Sequence, residues 1–171
     1  ILNIFAAGAS YASGRDTLLY IKSRAFFRDL YDNSSFLKEL MAYDYYDSKE
    51  NVLYLDPNKI NNATNEWIIV EPIFEEAYSR FKNQHFSVYQ HMTDEYITIT
   101  TKHISPKVAV KWNNMILRNI NKFSKDKALI KINGAIDFYN EELNEDSTLA
   151  IRNALINGLS SQLKELALSQ M

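Results

Sequence analysis

One segment limits the fold more than any other: a long helical pattern that begins at a proline. Ser105 is a favourable N-cap, because its hydroxyl can accept a hydrogen bond from an amide of the first turn, and Pro106 suits the first helical position. An unbroken helix to about Leu143 would be ~55 Å long. A globule of 171 residues has a radius of gyration of only ~16 Å, so we expect the helix to protrude. Its apolar stripe comprises Val108, Trp112, Met115, Ile116, Ile120, Phe123, Ile130, Ile136 and Leu143.

A β-hairpin is predicted immediately before this helix. Residues 85–91 and 95–102 each alternate apolar and polar side chains, and a short turn at 92–94 separates them. Side chains two residues apart on a strand share one face of the sheet. The predicted buried face of the hairpin consists of Phe86, Val88, Ile97 and Ile99.

Shorter elements are predicted upstream. Residues 1–13 are small and apolar with little periodicity, which is typical of a loop, whereas apolar residues recur at helical spacing over 16–31 and indicate one amphipathic helix. A short helix is expected after Ser35, a strand over 51–55, and a further helix opened by Pro72. The residues expected to face the core from the two later helices are Phe36, Leu37, Leu40, Met41, Phe74, Ala77, Tyr78 and Phe81.

The end of the chain carries a second helical pattern. Residues 144–147 are polar and interrupt the first stripe, and residues 148–170 begin a new one. Two helices joined by a short polar turn form an αα-hairpin. Its apolar stripe exceeds what two helices can bury against each other, so we expect part of it to pack against copies of the same chain. The interface candidates are Ile120, Phe123, Ile130, Ile136, Leu155, Leu159 and Leu163.

These elements together predict an α+β fold. A small mixed sheet with packed helices would form an α/β base over residues 1–106, and the long helix with its αα-hairpin would form an arm over residues 107–171. The formal net charge is −2 and the basic residues are scattered, so the sequence gives no indication of a nucleic-acid partner. The chain has no cysteine, which excludes disulfides and cysteine metal sites.

No apolar run approaches the ~20 residues that are needed to span a bilayer. The sequence also has no signal-peptide pattern, and it begins with Ile1 rather than methionine. Two interpretations fit these observations: a soluble domain of an intracellular protein, or a piece of a longer chain tethered to a membrane by segments that are not present here.

The residues that could carry chemistry have structural explanations as well. His85, His91 and His103 could approach one another on the hairpin, with Asp94 or Glu95 as additional metal ligands, but ordinary surface or hydrogen-bonded histidines are the favoured interpretation. The paired carboxylates lie near helix ends or in turns, where acidic residues are commonly solvated. We therefore predict no catalytic residue, no cofactor and no metal.

Three separated blocks of the sequence form one recognisable pattern. The hairpin and the start of the long helix supply Ser87, Val88, Thr98, Thr100, His103, Ser105, Pro106, Ala109 and Trp112. The upstream helices supply Ile21, Lys22, Ser23, Arg24, Phe26, Phe27, Leu37, Leu40, Met41, Ala42, Tyr46 and Asp47. The helix after Pro72 supplies Pro72, Glu76, Ala77, Tyr78 and Phe81. In this order, the blocks resemble the periplasmic part of the Wzz family, the polysaccharide co-polymerases that set O-antigen chain length. The fold-defining motif is Ser105, Pro106 and Trp112. The sequence departs from the family where it has Ile104 and Tyr46 in place of the usual tyrosine and tryptophan.

The resemblance implies a non-enzymatic regulator of polysaccharide chain length in the bacterial inner membrane, with this part in the periplasm. The base would lie next to the membrane, held there by flanking transmembrane helices, and several copies would form a ring. The implied partners are further copies of the chain and the inner-membrane polysaccharide polymerase, with growing polysaccharide chains as another candidate. The alternatives are a periplasmic sugar-binding or hydrolytic domain, which would show a deep pocket lined by aromatic residues, and a structural assembly domain.

Overall fold

The computed structural model describes residues 2–7, 14–90 and 96–144, together with helical positions at 153–154, 156–158, 160–161 and 164. The strands are β1 (Leu2–Ala7), β2 (Tyr43–Asp47), β3 (Val52–Leu55), β4 (Ile60–Asn61), β5 (Glu66–Trp67), β6 (Phe86–Gln90) and β7 (Tyr96–Thr101). The helices are α1 (Gly14–Ile21), α2 (Arg24–Tyr31), α3 (Ser34–Met41), α4 (Phe74–Arg80) and α5 (Pro106–Asn144), and a π-helical turn (Phe81–His85) follows α4. The α+β class is confirmed.

The predicted hairpin forms the larger part of a three-stranded sheet. Strand β7 lies in the centre, antiparallel to β6 on one side and to β1 on the other. Ile99 is fully buried and pairs with Val88 of β6 and with Ile4 of β1. The prediction of one mixed sheet was wrong, because the described strands form three separate antiparallel sheets, in the orders β1-β7-β6, β2-β3 and β4-β5.

Two predictions upstream were also wrong. The loop expected over 1–13 contains β1, whose pairing partner β7 is far away in sequence, so local periodicity does not reveal the strand. The single helix expected over 16–31 is two helices, α1 and α2. The break occurs at Ser23, whose hydroxyl accepts a hydrogen bond from the amide of Phe26 at 3.1 Å and so caps α2.

Aromatic side chains fill much of the hydrophobic core. Phe27 of α2 lies at its centre, with five rings whose centroids are 5.2–6.3 Å away, those of Tyr31, Phe36, Phe74, Tyr78 and Phe81. Helix α3 contributes the four apolar residues predicted for it, and all four are buried: Phe36, Leu37, Leu40 and Met41. The core therefore joins α2, α3 and α4 through contacts between rings.

Helix α5 begins at Pro106 as predicted and continues for 39 residues. Ser105 caps it, since its side-chain oxygen accepts from the amide of Val108 at 3.4 Å and its carbonyl from the amide of Ala109 at 3.1 Å. The first turns of the helix belong to the core through the buried residues Val108, Trp112, Ile116 and Ile120.

The chain divides into two compact units, and the division lies inside α5, after Ile120. The predicted boundary at 106/107 is thus too early, because the beginning of the helix packs within the first unit. The polar turn after Asn144 and most of the following segment lie outside the described residues, so the αα-hairpin and the protruding arm stay predictions.

The cap at Ser23 provides a test of the break between α1 and α2. Ser23→Ala removes the acceptor for the Phe26 amide, and the free energy of unfolding is expected to fall by about 1 kcal/mol. The matched control is Ser48→Ala in the exposed turn before β3, which should change it by less than about 0.5 kcal/mol. Urea unfolding followed by circular dichroism measures both. Equal stability of the two variants would show that Ser23 does not cap α2.

Candidate functional site

Helix α3 and the beginning of α5 are joined by a polar cluster, which we call the clasp: Ser35, Glu39, His103, Lys111 and Trp112. The Glu39 carboxylate accepts from the indole Nε1 of Trp112 at 2.9 Å and from the Lys111 ammonium at 2.6 Å. Lys111 also donates to the Ser35 hydroxyl at 2.7 Å. Trp112 is fully buried, so its N–H needs an acceptor inside the protein, and Glu39 supplies it.

His103 completes the clasp through both ring nitrogens. Its Nδ1 accepts from the amide of Ser105 at 3.1 Å, so Nε2 carries the hydrogen and donates to the backbone carbonyl of Glu39 at 3.1 Å. This arrangement requires the neutral imidazole. Burial lowers the pKa of His103, against the opposing effect of its hydrogen bond to the Glu39 carbonyl.

His85 is the second buried histidine. Its Nδ1 lies 2.7 Å from the Lys102 carbonyl and must donate to it, because a carbonyl can only accept. Its ring centroid is 6.0 Å from that of His103 and 5.6 Å from that of Trp112. Burial lowers the pKa of His85, and the nearby Arg80 lowers it further, whereas the Lys102 carbonyl raises it.

Hydrogen bonds thus account for both ring nitrogens of His103 and for Nδ1 of His85, whereas Nε2 of His85 is buried and has no hydrogen-bond partner among the described residues. His91, Asp94 and Glu95, the other residues considered for a metal, lie outside the described residues. Within the described ranges, no group of three or more histidine, aspartate or glutamate side chains is placed to hold a metal ion.

Two clefts open on the surface of the first unit. The lysine cleft, of about 430 Å³, lies between α3, the β2–β3 hairpin and the start of α5. Its lining residues are Ser35, Lys38, Glu39, Asn51, Val52, Leu53, Leu55, Asn65, Ser105, Lys107, Val108 and Lys111. The aromatic cleft, of about 440 Å³, lies between α1, α2, the segment 78–82 and β6.

The aromatic cleft has aromatic residues in its lining, as expected for the pocket of a sugar-binding domain, but the burial of these rings does not suit stacking on a sugar. Its floor includes Phe26, Phe27 and Phe81, each at most 2% exposed. A ring can stack on a sugar only if one of its faces is accessible. Phe86, also in this lining, stacks on Phe81 with centroids 4.9 Å apart. These rings are therefore components of the core.

The residues predicted to form an oligomer interface have different environments. Ile120 is 5% exposed and belongs to the core of the first unit, so it is not available to another chain, which corrects that part of the prediction. Phe123 and Ile136 are half-buried, and Ile130 is 67% exposed. Leu155, Leu159 and Leu163 lie outside the described residues.

The buried side of α5 in the second unit differs from the predicted stripe. Ser124, Ala128 and Ile132 are buried at spacings of four residues, while Leu129 and Ile130 are exposed. The predicted stripe instead contains Ile130, which is 67% exposed. The spacing of four residues from Ile120 through Ser124 to Ala128 was the sequence signal that would have located the buried side.

None of the described helices combines the length and the apolar character that crossing a bilayer requires. Comparisons with known proteins gave no match: neither a family model, nor a curated protein, nor a solved structure is significantly similar to this chain. The resemblance to the Wzz family therefore depends on the motif residues themselves.

The clasp can be tested by two substitutions of Trp112. Trp112→Ala empties a fully buried site and should lower the free energy of unfolding by about 3–5 kcal/mol. Trp112→Phe keeps most of the apolar volume but removes the donor to Glu39, and a loss of about 1–3 kcal/mol is expected. Val110→Ala, at an exposed position of the same helix, is the control. Chemical unfolding measures all three, and unchanged stability of Trp112→Ala would contradict the burial of the indole.

The histidines predict a dependence of stability on pH. Both have a folded-state pKa below the ordinary value of 6.5, so the unfolded chain binds protons first as the pH falls. Their contribution to stability is complete above pH 6.5 and decreases below it. The urea midpoint should therefore be lower at pH 5.5 than at pH 7.5. The double variant His85→Asn/His103→Gln keeps hydrogen-bond donors near the same positions but cannot titrate, so it should show a smaller difference between the two urea midpoints. An unchanged difference would exclude the histidines as its cause.

Proposed function

We propose that this chain is the periplasmic part of an oligomeric co-polymerase that regulates the chain length of a bacterial surface polysaccharide, in the manner of the Wzz family. It acts without catalysis, by contacting an inner-membrane polymerase and presenting it with a ring of identical subunits. Flanking membrane-spanning segments, which belong to the longer protein in this proposal, hold it at the inner membrane.

The observation that carries the proposal is how the motif residues are arranged. Ser105 and Pro106 start the long helix, and Trp112 is buried against a block that is distant in sequence, through Phe36 of α3 at 4.8 Å between ring centroids. His103 is also attached to α3, because its ring donates a hydrogen bond to the backbone carbonyl of Glu39. The blocks that resemble the family are therefore parts of one packed core, as expected if the resemblance reflects a shared fold.

Exposed apolar side chains support the assembly part of the proposal. In the second unit, Leu129, Ile130 and Ile156 are 38%, 67% and 58% exposed. Each of these large apolar side chains is accessible to a partner chain, and a contact between chains would remove its surface from water. The interface candidates are therefore Ile130 and its neighbour Leu129.

Expression in cells that lack their own co-polymerase tests this function. The gene with its membrane-spanning segments should restore a preferred length of the surface polysaccharide, visible as a modal band on a gel. Ile130→Asp should broaden the distribution and reduce the oligomer seen by sedimentation in detergent, because a buried unpaired charge opposes assembly. Val70→Asp, at an exposed apolar position of the first unit, is the matched control.

Two outcomes would contradict the proposal. Failure of the unmodified protein to change the length distribution, although it is expressed and assembled, would exclude chain-length regulation in that system. Complete loss of polymer in Glu141→Gln, with the protein still assembled, would indicate direct catalysis by a carboxylate rather than regulation through contacts.

A further inference from the structure

We propose that the lysine cleft binds a sugar that carries one anionic group, a carboxylate or a phosphate. The cleft lies entirely in the first unit, and its volume of about 430 Å³ is within the ~300–1,000 Å³ range of small-molecule sites. This inference does not depend on the function proposed above, because it rests on the walls of the cleft alone.

The charge of the cleft favours an anion. Three ammonium groups, those of Lys38, Lys107 and Lys111, line it, and among the lining residues Glu39 is the acidic one. The carboxylate of Glu39 is already occupied by Trp112 and Lys111. The formal charge of the lining is therefore positive. The carboxylate of Glu39, the one acidic group in the lining, is already paired, so it would repel a bound anion only weakly.

The three lysines are not equivalent. Lys111 is held by Glu39 and Ser35, and Lys38 donates to the backbone carbonyl of Asn65. Lys107 is exposed and makes no ion pair with a described residue. Lys107 is the group most able to turn towards a ligand, and Lys38 contributes a second positive charge, whereas the charge of Lys111 is balanced by Glu39.

The first turn of α5 adds to this field. Ser105 and Val108 line the cleft together with Lys107, so the N-terminal end of a 39-residue helix borders it. The partial positive charge of a helix N-terminus stabilises a nearby anion. This contribution supplements the lysines and would not define a site without them.

The remaining walls fit the body of a sugar. Ser35, Asn51 and Asn65 provide side chains that form hydrogen bonds with hydroxyl groups. The phenol of Tyr46 donates to Oδ1 of Asn51 at 2.7 Å, which leaves the amide NH₂ of Asn51 as a donor. Leu53 and Leu55, two residues apart on β3, share one face of the strand and give the lining an apolar wall against which the carbon face of a sugar ring can pack.

The test measures binding of four probes to the purified protein by NMR titration: glucuronate, glucose 1-phosphate, glucose and inorganic phosphate. The two anionic sugars should give saturable shifts at the side-chain amides of Asn51 and Asn65, and added sodium chloride should weaken them. Glucuronate and glucose 1-phosphate together distinguish whether carboxylate or phosphate is preferred. Glucose and phosphate should each bind at least about tenfold more weakly, since each lacks half of the contacts.

Two lysine variants test whether the anionic sugars bind in the lysine cleft. Lys107→Gln should weaken binding of the anionic sugars about tenfold, the loss expected for one hydrogen bond to a charged group. It is an exposed position, so the fold should be retained. Lys125→Gln, an exposed lysine in the second unit, is the control and should leave binding unchanged.

Four outcomes would overturn the proposal. Equal binding of glucose and glucuronate would show that charge is not recognised, and equal binding of phosphate and glucose 1-phosphate would show that the sugar is not. Absence of any saturable shift up to about 10 mM, or equal weakening by both lysine variants, would exclude a specific site in this cleft.

Discussion

Burial of the Trp112 indole is the constraint on which much of the first unit depends. A tryptophan that is completely enclosed gives a large apolar contribution to stability, but it carries an N–H that costs free energy unless it finds an acceptor. Glu39 supplies the acceptor, and its own charge is balanced by Lys111. Because the acceptor lies on α3 and the donor on α5, satisfying one buried N–H fixes the relative position of two helices.

The same helix start is also tied to the sheet. Thr101, the last residue of β7, is fully buried, and its hydroxyl donates to the Oδ1 of Asn113 at 3.0 Å. His103, two residues later, bonds to α3. The few residues between β7 and α5 therefore contact the sheet, α3 and α5 together. Such a short connection leaves little freedom in how the first turns of α5 pack against the core of the first unit.

The predictions that succeeded depend on neighbours in sequence. Alternation identified the β6–β7 hairpin, and the Ser105–Pro106 pair located the beginning of α5 to the residue. Strand β1 was missed because its pairing is with residues far along the chain. The clasp was missed for the same reason, since Glu39 reads as an ordinary exposed helical acid until the fold brings Trp112 to it. At Ser23, the cap outweighed a helical pattern that continued on both sides, so one predicted helix became two.

Helix α5 also shows why the periodicity of apolar residues is not sufficient to identify interface residues. Up to Ile120, its buried residues Val108, Trp112, Ile116 and Ile120 face a core built with other elements, so these four are not available for assembly. Beyond that point, the small residues Ser124 and Ala128 take the buried positions and the larger Leu129 and Ile130 are exposed. Exposing large side chains costs free energy in an isolated chain, and burial of the same surface against a second chain recovers about 25 cal/mol per Å². The stability of the first unit depends on its own aromatic core and does not require these exposed side chains.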